Sequence, residues 1–167
     1  NYGLGMVYSS RAQYDEATKF FDASIAIRKE IGDKSGIVNS LNQLGVVYLL
    51  TNNIDKARSC IEQSRLYNTE LGDDWATTVS LVLMAGIEIA GNNFEQAAKM
   101  TGKADSMLKS LSRVWEKGIE ILEIQNVEKL QEILGDDEFR KNYDAGTMMT
   151  TDEVLELAGL NKVKNKS

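Results

Sequence analysis

The chain has 167 residues, 43% of them hydrophobic and 26% charged, with 19 basic and 25 acidic side chains, one cysteine, and neither histidine nor proline. These counts exclude histidine-dependent catalytic triads, an internal disulfide and a cysteine-rich zinc site. A net charge of -6 gives no electrostatic case for nucleic acid as a partner, while the length and apolar content suit one folded domain.

The chain opens at Asn1 in the middle of a pattern that returns later, and so reads as a piece of a longer protein. Leu4-Gly5-x-Val7-Tyr8 recurs as Leu44-Gly45-x-Val47-Tyr48, an offset of 40 residues. Ala17, Ala57 and Ala97 keep that offset, as do Phe20, Cys60 and Met100, and Trp75 matches Trp115. Ile31-Gly32-Asp33 returns as Leu71-Gly72-Asp73, and Asn52-Asn53 as Asn92-Asn93. One register with so many matches marks an internal repeat of about three copies, the first lacking the start of its leading helix.

Each copy reads as two helices. Leu41, Leu44, Gly45 and Tyr48 share one helix face, and Ala57, Ile61, Ser64 and Leu71 form the stripe that meets it. Gly45 and Ala57 allow close backbone approach. Gly32 and Gly72 suit the left-handed position after a helix, with Asp33 and Asp73 capping the next one. Asn53 and Asn93 are expected to cap the second helices of their repeats. Helices are expected over 1–11, 14–31, 35–51, 54–71, 74–91, 94–111, 113–134, 136–145 and 151–160, and no strand. The organisation is then repeats over 1–120, capping helices over 121–160, and a disordered basic tail over 161–167 carrying Lys162, Lys164 and Lys166.

Leu44-Gly45-x-x-Tyr48 with Ala57-x-x-x-Ile61, and Leu4-Gly5-x-x-Tyr8 with Ala17-x-x-x-Phe21, resemble the tetratricopeptide repeat family. The third copy departs, with Met84-Ala85 for Leu-Gly, Glu88 for the tyrosine and Thr101 after Ala97. The closing proline is absent throughout and the period is longer than the common one of about 34. The resemblance implies an all-α, right-handed α-solenoid of helix pairs with a helical C-terminal extension. Downstream, Leu134-Gly135-Asp136-Asp137-Glu138-Phe139, then Asp144-Ala145-Gly146-Thr147, then Glu153-Val154-Leu155-Glu156-Leu157-Ala158 is similar to a recurring tail. That tail follows such repeats in large bacterial ATPase-linked transcriptional activators and related signalling proteins. It implies a turn at Ala145-Gly146 and a last helix capped by Thr150 with Glu153.

In such solenoids the first helices line a concave face that receives partners. Here that stripe runs Tyr2, Met6 and Ser9, then Asn39, Asn42, Val46 and Leu49, then Trp75, Val79, Val82, Gly86 and Ile89, and onward to Trp115, Ile119 and Leu122. None is Lys or Arg, so a basic clamp for a terminal carboxylate is not expected. Asn39 and Asn42 are instead candidates to hold the backbone of an extended peptide. The third repeat's first helix is apolar nearly all round, which requires cover on both sides. The expected cover is the chain's own last helix, through Val154, Leu155, Leu157 and Leu160, or else a partner helix or second subunit.

Cys60 shares its register with Phe20 and Met100 and reads as a core position. Trp75 and Trp115 read as packing between repeats. Glu120 with Glu123, and Glu153 with Glu156, share helix faces as acid–base pairs do, but a solvated surface is the simpler reading. The reading is a non-catalytic protein-interaction module that uses no cofactor or metal and contacts neither nucleic acid nor membrane. It is expected to serve as a regulatory scaffold arm of a cytoplasmic signalling or transcriptional regulator, or alternatively as a homo-oligomerisation module with a permanently filled groove.

Overall fold

A computed structural model describes residues 1–159, so Leu160 and the basic tail over 161–167 lie outside the described residues. The described chain is all-α. Its helices are α1 (Tyr2–Ser10), α2 (Tyr14–Glu30), α3 (Lys34–Leu50), α4 (Ile54–Leu71), α5 (Asp74–Ala90), α6 (Phe94–Ser110), α7 (Lys117–Leu134), α8 (Asp136–Met148) and α9 (Thr151–Leu157). The helices α1–α2, α3–α4 and α5–α6 pack as successive pairs, and each second helix also packs on the first helix of the next pair. This is an all-α solenoid of stacked helix pairs.

The forty-residue period is written in the backbone. Ala12, Asn52 and Asn92 take positive φ values of 56, 57 and 62° at the turn inside each pair. Gly32, Gly72 and Ser112 do the same between pairs, at 72, 64 and 51°. Glycine takes this conformation readily and asparagine more easily than most residues, so the recurrent Gly-Asp and Asn-Asn dipeptides stop the helices in register. Asp33 caps α3 by accepting from the Gly36 amide at 2.9 Å, and Asp73 caps α5 by accepting from Trp75 and Ala76.

The expected caps at Asn53 and Asn93 do not form. Asn53 Nδ2 donates to the Thr51 carbonyl and hydroxyl, and Asn93 Nδ2 donates to Glu88 Oε2 at 2.6 Å. Both side chains point back to the preceding helix end, where these partners lie. Glu88, which stands where the other repeats have tyrosine, is buried and accepts this amide hydrogen bond. At the C-terminus, Thr150 and Glu153 form the expected capping box on α9.

The core is nearly continuous. One cluster joins Phe21, Ile25, Leu41, Leu44, Val47 and Cys60; a larger one is centred on α5 and includes Leu81, Leu83, Met100, Ile119 and Leu130. Gly45 lies where α3 passes α4 and α5: an added Cβ would be 3.2 Å from Leu83 Cδ1 and 3.7 Å from Cys60 Cβ. Burial pushes the Cys60 thiol up to about 12, as befits a packed core atom rather than a reactive one.

Two expectations change after the third pair. α7 starts at Lys117 rather than near 113, because Ser112 turns left-handed and Arg113 and Trp115 are drawn onto Trp75. The boundary expected near 120 therefore falls inside a helix. α8 runs on to Met148, and Gly146 makes no turn there. Gly146 is instead a close-contact residue: any Cβ on it would overlap the Lys99 carbonyl, and one on Gly102 would overlap the Tyr143 carbonyl. α8 thus packs backbone to backbone along α6 and takes no part in a fourth regular pair.

Replacing Gly146 by alanine drives a methyl into backbone that cannot move alone, and should lower stability by about 3 kcal/mol in denaturant unfolding. Gly118→Ala, whose new methyl would meet Val46 at an ordinary 3.6 Å, should stay within about 1 kcal/mol of the parent.

Candidate interaction face

The first helices α1, α3 and α5 form one face of the stack, and α7 lies across it. α7 packs on α5 and α6, as the next first helix of a stack would, but it also packs on α3 and reaches α1. Its stripe Ile119, Leu122, Asn126 and Leu130 recurs at helical spacing and is buried. Ile119, Leu122 and Leu130 join the same core cluster as Val46, Val79 and Val82.

Polar contacts set the position of α7. Asn126 Nδ2 donates to the Val82 carbonyl at 3.1 Å, in a buried setting. Gly86 leaves room for this crossing, since a Cβ there would stand 3.1 Å from Leu49 and 3.4 Å from Asn126 Oδ1. At the start of α7, Gln43 Nε2 donates to Glu116 Oε2 at 2.5 Å. Tyr2 sits at this node, and burial together with the Glu116 charge pushes its phenol up to about 12. Burial likewise raises Glu116. The segment leading into α7 is pinned by aromatics. The Trp75 and Trp115 ring centroids are 5.8 Å apart, and the Arg113 guanidinium lies 4.1 Å from the Trp75 centroid.

The residues expected to line an open groove are therefore brought together and then covered. Val46, Trp75, Val79 and Val82 are buried, and Tyr2, Met6, Asn39, Leu49, Ile89 and Trp115 are half-buried. Asn42 is not free to hold a peptide. Its Nδ2 donates to the Ala76 carbonyl at 3.3 Å and its Oδ1 accepts from the Ser64 hydroxyl at 2.7 Å. It clamps α3 to α4 and α5, because a buried amide must satisfy both its ends within the stack.

The cover is the chain's own, but it is not the helix expected. α9 sits on the second-helix side: Val154 is buried, Thr151 Oγ1 meets Met107 Sδ, and Lys103 Nζ donates to the Met149 carbonyl at 2.8 Å. Leu155 and Thr151 border a cleft with Arg65, Asn68 and Thr77, and Ala158 approaches Ile61 and Met84. α7 arrives first in sequence and already fills the space on the first helices. Sequence reasoning placed Ile119 and Leu122 on the lining instead of the lid, and missed Gln43, Glu116 and Asn126. The available signal was Asn126, a single polar residue on the apolar stripe of α7, as an interhelical contact requires.

Where α6, α7 and α8 meet, Tyr143 Oη donates to Asp105 Oδ2 at 2.6 Å, and Glu123 of α7 is half-buried beside Asp105. Burial, reinforced by the Asp105 charge, pushes Glu123 from 4.5 up to about 7. Burial and the Asp105 hydrogen bond also raise Tyr143. Glu120, its neighbour on the helix, is exposed, so the two carboxylates do not form an acid–base pair. Among the described residues no group of His, Cys, Asp and Glu side chains is arranged to hold a metal ion, and no helix is long and apolar enough to cross a membrane.

The architecture defines a helical-repeat protein. The family model described as Tetratricopeptide repeat matches residues 1–65, which supports that family for the first helix pairs. Tetratricopeptide repeats are non-catalytic protein-interaction repeats. No curated protein matches the chain.

Two measurements follow from these contacts. Asn42→Ala should cost about 1–3 kcal/mol of stability, because it strands the Ser64 hydroxyl; a residue reserved for ligand would leave unfolding unchanged. Glu123 holds its proton to higher pH in the folded state than in the unfolded chain, so its contribution to stability falls as pH rises from 4.5 to about 7. Glu123→Gln should therefore raise the melting temperature at about pH 8 and leave it nearly unchanged at about pH 4.5.

Proposed function

We propose that this chain is a non-catalytic interaction arm of a larger bacterial cytoplasmic signalling or transcriptional regulator. In this reading α7 occupies the face of the first helices and yields it to an apolar helix of a partner. The observation that carries the proposal is the seating of α7: an amphipathic helix buries Ile119, Leu122 and Leu130 on α1, α3 and α5, so this face is built to receive a helix. Each such side chain contributes about 1.5–3 kcal/mol, a range that a partner helix of similar pattern can match. The two polar contacts, Asn126 to Val82 and Gln43 to Glu116, fix the register of the resident helix in the way a partner would need to reproduce. The parent class rests on the likeness of the segment from Leu134 to Ala158 to the tail of such regulators.

The same observation supports a second reading, in which α7 never leaves and the stack serves only as a structural or oligomerisation unit. A double variant, Ile119→Asp with Leu122→Asp, separates the two. If α7 is displaceable, the variant should keep a cooperative helical stack and bind a synthetic peptide of residues 117–134 that the parent chain ignores. A variant that unfolds outright, or that stays folded without binding the peptide, favours the permanent seat. Light scattering on the parent chain adds the oligomer test, with a monomer expected.

A further inference from the structure

Glu123 on α7 is half-buried, and among the described residues its carboxylate accepts no hydrogen bond and pairs with no lysine or arginine. Its surroundings offer no relief. From α6 it is faced by Asp105, and from α8 by the Tyr143 phenol, with Asp144 next in sequence. α1 carries no charged residue. α3 carries only Lys34, which pairs with Glu70, and α5 only Asp74 in its first turn and Glu88, which accepts from Asn93. On α7 itself, Glu120 lies one turn back, exposed and of the same sign. The nearby cations are engaged with other groups. Lys103 donates to the Met149 carbonyl, Lys141 pairs with Glu138, and Arg140 lines a cleft with Asp136 and Asp144.

Two of the three helices at this junction cannot give way. α8 lies on α6 with the backbones in contact, since a Cβ on either Gly102 or Gly146 would overlap the opposite helix's carbonyl. Tyr143 Oη donates to Asp105 Oδ2 at 2.6 Å, which fixes Asp105 in place and favours its charged form. α7 is held instead by its apolar side chains and by the Asn126 bond to the Val82 carbonyl. A protonated Glu123 is tolerated beside Asp105, because it brings no second charge and has an O–H to donate. Once ionised, it sets two like charges in a partly desolvated junction, and α7 is the element that can separate them. Burial and the Asp105 charge push Glu123 up to about 7, so this change falls close to neutral pH.

We propose that the junction of α6, α7 and α8 is a pH-sensitive latch on the face of the first helices, closed while Glu123 carries a proton and released when Glu123 and Asp105 are both ionised. This regulation rests on the reading that α7 yields that face to a partner. Glu123 binds its proton more tightly with α7 seated than with α7 free, so seating weakens as pH rises from 4.5 to about 7 and changes no further above that. The face is therefore more open to a partner helix in mildly alkaline than in mildly acidic conditions.

The test follows amide exchange of the full chain from about pH 5.5 to about pH 8, with protection corrected for the base-catalysed chemical rate. The opening of residues 119–130, taken relative to α3, should rise at least about fivefold over this range. Glu123→Gln should hold that rise below about twofold, and Asp105→Asn should lower the pH at which the Glu123 carboxyl carbon-13 signal titrates. Opening of α7 that does not change with pH overturns the proposal, as does a rise that the glutamine variant keeps. It is equally overturned if α3, α4 and α7 open together to the same extent, because Glu123 would then act on the stack as a whole and not on the seat of α7. These outcomes are independent of the partner reading, which capture of the 117–134 peptide by the Ile119→Asp, Leu122→Asp variant decides at a single pH.

Discussion

A helix with almost no polar face cannot stand at the edge of a stack, and α5 is such a helix: from Trp75 to Glu88 only Thr77 and Gly86 escape burial. One side of it is met by α4 and α6, which the repeat supplies in the ordinary way. The other side is the face of the first helices, and leaving Val79, Val82 and Ile89 in water would forfeit the apolar burial that holds the third pair together. α7 meets that demand. Its course over α5, α3 and α1, the aromatic pin at Trp75 and Trp115, and the release of α8 to pack on α6 all follow from the need to cover α5.

Once α7 is committed to the first helices, the later elements have only the second-helix side left. α8 takes it through glycines, Gly102 and Gly146, whose missing side chains let two backbones touch. α9 follows with Val154 and a capping box that ends the chain's described part tidily. The electrostatics fit the same arrangement. Glu116 and Glu123, both on the α7 unit and both half-buried, are carboxylates whose burial disfavours the charged form. The junction holding α7 therefore contains one group, Glu123, that changes charge near neutral pH.

Much of the architecture was legible in the residues because repetition is a redundant signal. The left-handed turns at Gly32 and Gly72, the Asp33 and Asp73 caps and the small residues Gly45 and Ala57 each recur, so one reading checks another. The groove positions were legible as a stripe, and the structure does bring Val46, Val79 and Val82 together. What periodicity cannot report is which helix covers a stripe: Ile119 and Leu122 present the same apolar spacing whether they extend the stack or fold across it. Nor can it assign partners to an amide. Asn42 lies on the expected face, but the proximity of Ser64 and Ala76 that engages it arises only from the packed helices. Asn53 and Asn93 failed as caps for a related reason, since cap residues and turn residues share composition and differ only in where the side chain turns.

The whole arrangement depends on α7 being seated on the first helices in the free protein. Native-state hydrogen exchange tests this directly, because an isolated amphipathic helix of this length exchanges quickly while a docked one is protected by the stability of what it packs on. Amides from Ile119 to Leu130 are expected to be protected comparably to those of α5, and more strongly than those of α1. Exchange of α7 at the rate of a free helix, with α3 and α5 still protected, would contradict it.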